Sequence, residues 1–195
     1  MVIKHGKQVV KFYSKSASER EPRRMGGVRD WRKYLSNFTH ASVEYNNIMF
    51  PSVEHGFGHA KYQHSTKTRE DATMPDFTDA SLAGANLKRE HGNAKAGLKK
   101  GYGMRFHGYA LDVDAWNAVR VDVTRTLLAS RFKRDDTFRK ILQDLHTQGY
   151  YLLHVERSGP RSFWGGSDAS GAVQGENMLG KIMMELMDDE MNDER

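Results

Sequence analysis

The chain has 195 residues, 38% hydrophobic and 28% charged, enough to fold one domain around a real core. It contains no cysteine, which excludes disulfides, thiolate metal sites and a cysteine nucleophile, and no apolar run nears the roughly 18 residues of a membrane span. A formal net charge of +5 favours polyanionic partners such as nucleic acid, nucleotides or sugar phosphates.

Residues 1–7 lack the apolar stretch of a signal peptide, so a cytoplasmic protein is expected. Residues 8–13 predict a short strand. Residues 14–34 are polar, with Pro22 and Gly26-Gly27, and predict a loop in which Arg20, Arg23, Arg24, Arg29, Arg32 and Lys33 crowd together. Residues 42–50 predict a hairpin turning at Asn46-Asn47, since Asn tolerates positive φ.

Pro51-Ser52 announces a helix to about His64, with Ser52 as its N-cap. Gly56 and Gly58 inside it each cost about 1 kcal/mol against Ala, and close approach of a ligand or another backbone is one reason to tolerate them. Residues 65–79 predict a loop with a short helix, and 80–100 one or two helices broken at Gly92. A glycine- and aromatic-rich loop follows over 101–108. The clearest helix is 114–133, where Trp116, Val119, Val123 and Leu127 follow helical spacing. Residues 136–147 predict another, ended by Gly149, and 151–156 a strand. A loop over 157–175 surrounds Phe163-Trp164-Gly165-Gly166, and a Met-rich helix closes the order over 177–187. The expected fold is α+β, mainly helical with a small β element, as one domain over 1–187 followed by an acidic tail over 188–195.

Chemistry concentrates in Phe50-Pro51-Ser52-Val53-Glu54-His55-Gly56-Phe57-Gly58-His59-Ala60-Lys61-Tyr62. Seven helical steps bring Lys61 to within about 20° of the face of Glu54, about 10.5 Å along the axis. That is too far for a close ion pair, but the two can converge on a sugar-sized ligand. A lysine amine can form a Schiff base with an opened sugar, and a carboxyl group can move protons. An ordinary solvated helix face gives the same spacing. His55 and His59, at i and i+4, can face one metal, but no third ligand stands nearby and no metal or other cofactor is expected. Trp164 among glycines suits either a pocket wall or a core turn, and Trp116 either the core or a surface for a nucleobase.

In order and spacing these pieces resemble the NADAR, or YbiA-like, family of N-glycosidases. The likeness runs through Lys11-Phe12-Tyr13-Ser14, Leu35-Ser36-Asn37-Phe38, the Pro51-Ser52-Val53-Glu54-His55 element through Lys61, Ala94-Lys95-Ala96-Gly97, Trp116, Phe163-Trp164-Gly165, and Gly175-Glu176-Asn177-Met178-Leu179-Gly180. The resemblance implies a YbiA-like single domain that hydrolyses a ribose–nitrogen bond. It implies one of two substrates: ADP-ribosylated guanine, in nucleotides or in DNA or RNA, or pyrimidine ribose phosphates of riboflavin synthesis. Glu54 is then the acid/base and Lys61 the covalent partner of the ribose. Trp116 and Trp164 shape the pocket, and Asn37 and Asn177 support it. His55, Phe57, Arg161, Gly165 and Asp168 complete the expected substrate-binding set. One position departs from the family pattern. Within Ser158-Gly159-Pro160-Arg161-Ser162-Phe163-Trp164, Arg161 stands where the family has an Asp. An arginine cannot move a proton but can bind phosphate, and Asp168 can supply the missing carboxylate from the same loop. The alternative implied by Arg161 is a catalytically impaired protein that binds ADP-ribose or nucleic acid.

Overall fold

Alternation in the first strand puts Val10 and Phe12 inside, and this strand, β2 (Lys7–Phe12), is the middle of a three-stranded sheet. The computed structural model of the chain describes residues 2–13, 22–156, 159–169 and 171–193. Ser14, Arg20, Ser158 and the last two residues of the acidic tail lie outside the described residues. The chain forms two compact units, Met1–Thr39 with Phe132–Arg195, and His40–Arg131.

In the unit made from both chain ends, β1 (Ile3–Lys4) pairs antiparallel with β2 across a turn at His5 and Gly6, both at positive φ. β2 pairs in parallel with β7 (Tyr150–His154), Gln8 opposite Tyr150 and Phe12 opposite His154. Parallel strands need a crossover, and here almost the whole chain supplies it. Tyr151, Leu152 and Leu153 of β7 are all buried. Both α6 (Asp136–Thr147) and α7 (Met178–Asp193) pack on it. Phe138, Ile141, Leu142 and Leu145 form the buried stripe of α6, and Asp135 caps it by accepting from the Phe138 amide at 3.0 Å. α7 runs to Asp193, six residues past the end expected at Met187. The expected loop 14–34 ends in a short helix, α1 (Trp31–Tyr34). Within it Arg32 is buried, stacks over Trp31 and donates to the Pro22 carbonyl at 2.8 Å. That arginine belongs to the core, not to a basic surface.

In the other unit, β3 (Val43–Tyr45) and β4 (Ile48–Phe50) form the expected hairpin, with Asn46 and Asn47 at φ 51° and 61°. α2 (Val53–Gln63) follows at once, and its Ser52 cap accepts from the His55 amide. α3 (Gly84–Glu90) and α4 (Lys95–Lys99) are the helices expected over 80–100, shorter than that span and interrupted around Gly92, and α5 (Val113–Arg134) begins at a capping Asp112. Residues 65–79 differ from expectation. β5 (Ser65–Lys67) pairs antiparallel with β6 (Tyr109–Leu111), a polar strand held by a distant partner rather than by its own pattern. The two glycines of α2 have a packing cause. A Cβ on Gly56 would strike the Leu127 side chain of α5, and one on Gly58 would lie 2.6 Å from the Phe77 ring. Side chains, not a ligand or a backbone, fill the spaces the glycines leave. The architecture is α+β, mainly helical with small sheets, and among the described residues no helix is long and apolar enough to cross a membrane.

Candidate active site

The residues expected to form the site fall into two sets, one in each unit. In His40–Arg131 the set is Glu54, His55, Phe57, Lys61 and Trp116. Glu54 and Lys61 leave α2 seven residues apart, and the C-terminus of α3 meets both. His91 Nε2 hydrogen-bonds Glu54 Oε1 at 2.9 Å, and the His91 carbonyl accepts from Lys61 Nζ at 2.8 Å. The next residue pair repeats the pattern: the Tyr62 hydroxyl donates to the Glu90 carbonyl at 2.6 Å, while Glu90 Oε2 meets His107 Nε2 at 2.6 Å. A helix C-terminus leaves carbonyls without partners, so α3 offers two acceptors just where α2 presents Lys61 and Tyr62.

Both members of the Glu54–His91 pair are largely withdrawn from water, with side chains 12% and 8% exposed. Burial lowers the Lys61 pKa from its ordinary value, while the nearby Glu54 charge works against that shift. A neutral amine can still donate one N–H to the His91 carbonyl, which leaves its lone pair free. Phe57 meets Trp116 edge-on at 5.0 Å and His91 at 6.0 Å, so one wall of this cluster is aromatic. Trp116 itself is only 5% exposed and also contacts His64 at 5.9 Å. Its ring closes one side of this cluster, with little surface left for a stacked base.

His55 is 1% exposed, and its Nδ1 lies 2.7 Å from the Ser52 hydroxyl at the start of α2. That contact makes it part of the helix start. Nε2 of both His55 and His59 is buried without a hydrogen-bond partner among the described residues, and burial lowers both pKa values. Backbone carbonyls of Leu82 and Asp79 lie near the His55 ring, yet neither completes a well-formed bond to Nε2. Among the described residues no three His, Cys, Asp or Glu side chains gather to hold a metal ion.

In the unit of the chain ends, the expected residues lie around the C-terminal ends of the parallel strands β2 and β7, where Phe12 and the His154 ring are 5.0 Å apart. Asp168 is bound to Lys11 of β2 at 2.7 Å and is therefore neutralised. Arg161 is exposed on a short 3₁₀ turn, Gly159–Arg161. A carboxylate missed by the sequence reading, Glu156, stands in the same loop and accepts from the buried Ser162 hydroxyl. Its only sequence signal was its place at the end of the expected strand 151–156. Trp164 is half-buried and edge-on to Phe163 at 5.0 Å. Gly165 is a packing glycine: a Cβ there would lie 2.6 Å from the His154 carbonyl oxygen. Asn177 is wholly buried, at φ 50°. Its Oδ1 accepts from the His154 amide at 2.9 Å and its Nδ2 donates to the Leu152 carbonyl at 2.8 Å. It ties the start of α7 to the end of β7 as a buried, hydrogen-bonded polar group. Asn37 is different: its Oδ1 is buried with no partner among the described residues, an acceptor still to be satisfied.

The unit His40–Arg131 thus holds an acid–histidine pair beside a lysine of lowered basicity, within an α+β fold. The NADAR domain model matches residues 18–189, and the chain belongs to that family. The NMR structure of the E. coli protein YbiA aligns with a TM-score of 0.55 over 96% of this chain and 88% of that one, at 18% identity. At that identity the likeness establishes the fold, which is YbiA-like. No curated protein matches the chain.

Proposed function

We propose that the chain is an N-glycosidase that hydrolyses a ribose–nitrogen bond, with Glu54 as proton donor and acceptor and Lys61 as nucleophile. The observation that carries this reading is the joint hold of His91 on both groups, 2.9 Å to Glu54 and 2.8 Å to Lys61. The neutral Lys61 amine attacks C1′ as the C1′–N bond breaks. The departing nitrogen keeps the bonding electron pair and takes the proton of Glu54. Lys61 Nζ then loses a proton to the Glu54 carboxylate, Glu54 passes that proton to the ring oxygen as C1′–O4′ breaks, and a protonated imine joins Lys61 to C1′. Water adds to that carbon and releases the amine and the free sugar. A depressed lysine pKa supports the first step, because only the unprotonated amine attacks.

The substrates this reading favours are ADP-ribose joined to guanine and pyrimidine ribose phosphates. The exposed Arg161, in place of a carboxylate, suits a phosphate-bearing sugar in either case. It also favours the second reading, a binder of ADP-ribose or nucleic acid with impaired turnover. One experiment separates them: incubate the protein with each substrate and borohydride, then digest and weigh the peptides. Reduced sugar on the Lys61 peptide supports the enzyme. Bound but unmodified, uncleaved substrate supports the binder.

A further inference from the structure

Residues 80–111 carry Lys88, Arg89, Lys95, Lys99, Lys100 and Arg105 against a single acid, Glu90. Their sum is +5, the whole formal net charge of the chain, so the rest of the sequence is neutral. All six cations are exposed. Among the described residues none of them meets a carboxylate, and Glu90 is itself engaged by His107 at 2.6 Å. Charge this concentrated, with no carboxylate to balance it, exceeds what the local contacts of Arg89 and Arg105 use.

Short internal bonds hold this segment together as one lobe. The Met104 amide donates to the Gly92 carbonyl at 3.0 Å and the Tyr102 amide to the Gly97 carbonyl at 3.2 Å. Arg89 lies over the Tyr102 ring at 5.6 Å, and Arg105 Nε donates to the Asn93 carbonyl at 3.2 Å. Apolar surface is interleaved with the charge: Phe106 is 40% exposed and Leu98 51%. The lobe also contains His91, the residue that holds Glu54 and Lys61.

We propose that residues 80–111 bind a single strand of nucleic acid through its phosphates, with Phe106 stacking on a base, and so deliver a modified nucleotide to Glu54 and Lys61. Phosphates give affinity without sequence reading, and an exposed aromatic ring adds stacking that only unpaired bases can use. A lipid surface fits less well, because α3 and α4 are seven and five residues long, too short to present an amphipathic helix to a bilayer. Only the delivery clause rests on the glycosidase reading; the binding surface stands or falls separately.

Fluorescence anisotropy with a labelled, unmodified single-stranded oligonucleotide tests it, because such a strand offers nothing to cleave. The triple variant Lys95→Ala/Lys99→Ala/Lys100→Ala is expected to lower the slope of log K against log salt by about 2, at roughly 0.7 per lost phosphate contact. Phe106→Ala is expected to weaken binding roughly five- to hundred-fold with the slope unchanged. Arg24→Ala, a cation of the other unit, is expected to bind as the parent does. An unchanged slope in the triple variant overturns the proposal. So does binding of duplex DNA or of anionic phosphatidylserine vesicles at least as tight as binding of the strand. A protein that binds the strand through this lobe yet cleaves no modified nucleotide leaves the surface standing and overturns the glycosidase reading alone.

Discussion

Around β7, a Cβ on Gly165 would lie 2.6 Å from the His154 carbonyl, one on Gly175 2.7 Å from the Gly165 carbonyl, and one on Gly180 2.7 Å from the Asn177 carboxamide. In α2, by contrast, Gly56 and Gly58 make room for the side chains of Leu127 and Phe77. The polar groups divide the same way. Asn177 is wholly buried and bonded to backbone, whereas Glu54, His91 and Lys61 are partnered but keep a way to exchange protons. A backbone cannot step aside for a methyl group, while a side chain can. The surroundings of β7 are therefore a frame whose small residues are fixed, while α2 carries chemistry whose neighbouring side chains can adjust.

The largest expected effect tests the chemical half of that contrast. Lys61→Met and Glu54→Gln should each lower turnover by about 10²- to 10⁴-fold while leaving the folded state intact, as read by rates and by circular dichroism. Lys61 also leaves a stability signature. Its folded pKa is depressed below 10.5 by burial. Between that depressed value and 10.5 the unfolded chain therefore holds more protons than the folded one. Stability rises with pH across this window, and the contribution is absent below it. Denaturant titrations from neutral to alkaline pH should show the rise in the parent and not in Lys61→Met. A rise that persists would place the titrating group elsewhere.

The frame predicts the reverse outcome. Gly180→Ala sets a methyl group against the Leu152 carbonyl and the Asn177 carboxamide, and should cost about 3 kcal/mol or prevent folding. Asn177→Gly keeps the positive φ but removes the carboxamide. It leaves the buried His154 amide without its acceptor, so a loss of about 1–3 kcal/mol is expected in urea melts. If Asn177→Gly unfolds no earlier than the parent, the residue is a ligand group after all and the frame reading fails there.

Local signals explain what the sequence made legible. Asn46-Asn47 fixes a hairpin because few residues accept two positive φ values in succession. Ser52 fixes the start of α2, and the stripe from Phe138 to Leu145 fixes α6. Glu54 and Lys61 were readable as a same-face pair because helical spacing is local. The partner of both, His91, was not: it reaches Glu54 across 37 positions, and a single His before a glycine carries no pattern. The pairing of β2 with β7 and of β5 with β6 was hidden for the same reason, since a strand's text does not name its partner. Charge was legible only in part. The early basic stretch crowds together in the sequence, and Arg23, Arg24, Arg29 and Lys33 are exposed, but Arg32 lies inside on Trp31.

A smaller effect is expected at the hidden partner. His91→Gln removes the ring but keeps the backbone carbonyl that receives Lys61. Borohydride trapping of the Lys61 peptide should persist, with kcat lowered about tenfold and KM little changed. Loss of trapping altogether would mean that the ring, not the carbonyl, holds the lysine ready.

The smallest effects come from the two helix glycines, and their difference is the sharpest test of side chains that adjust. Ala at either position gains about 1 kcal/mol of helix propensity. At Gly56 the new methyl displaces Leu127, an apolar side chain outside the hydrogen bonds of Glu54 and Lys61, so the cost falls on packing and the rate should hold. At Gly58 it meets the Phe77 ring at 2.6 Å and His91 Cδ2 at 3.2 Å. The new methyl stands between the Phe77 ring and His91, so His91 takes part of the displacement and its bond to Glu54 lengthens. Gly58→Ala should therefore melt within about 3 °C of the parent, the propensity gain offsetting the strain, yet turn over a few-fold more slowly. Gly56→Ala should show the opposite, a lower melting temperature at an unchanged rate. Equal rates in the two variants would mean that Phe77 absorbs the whole displacement, and that Glu54 does not depend on where His91 stands.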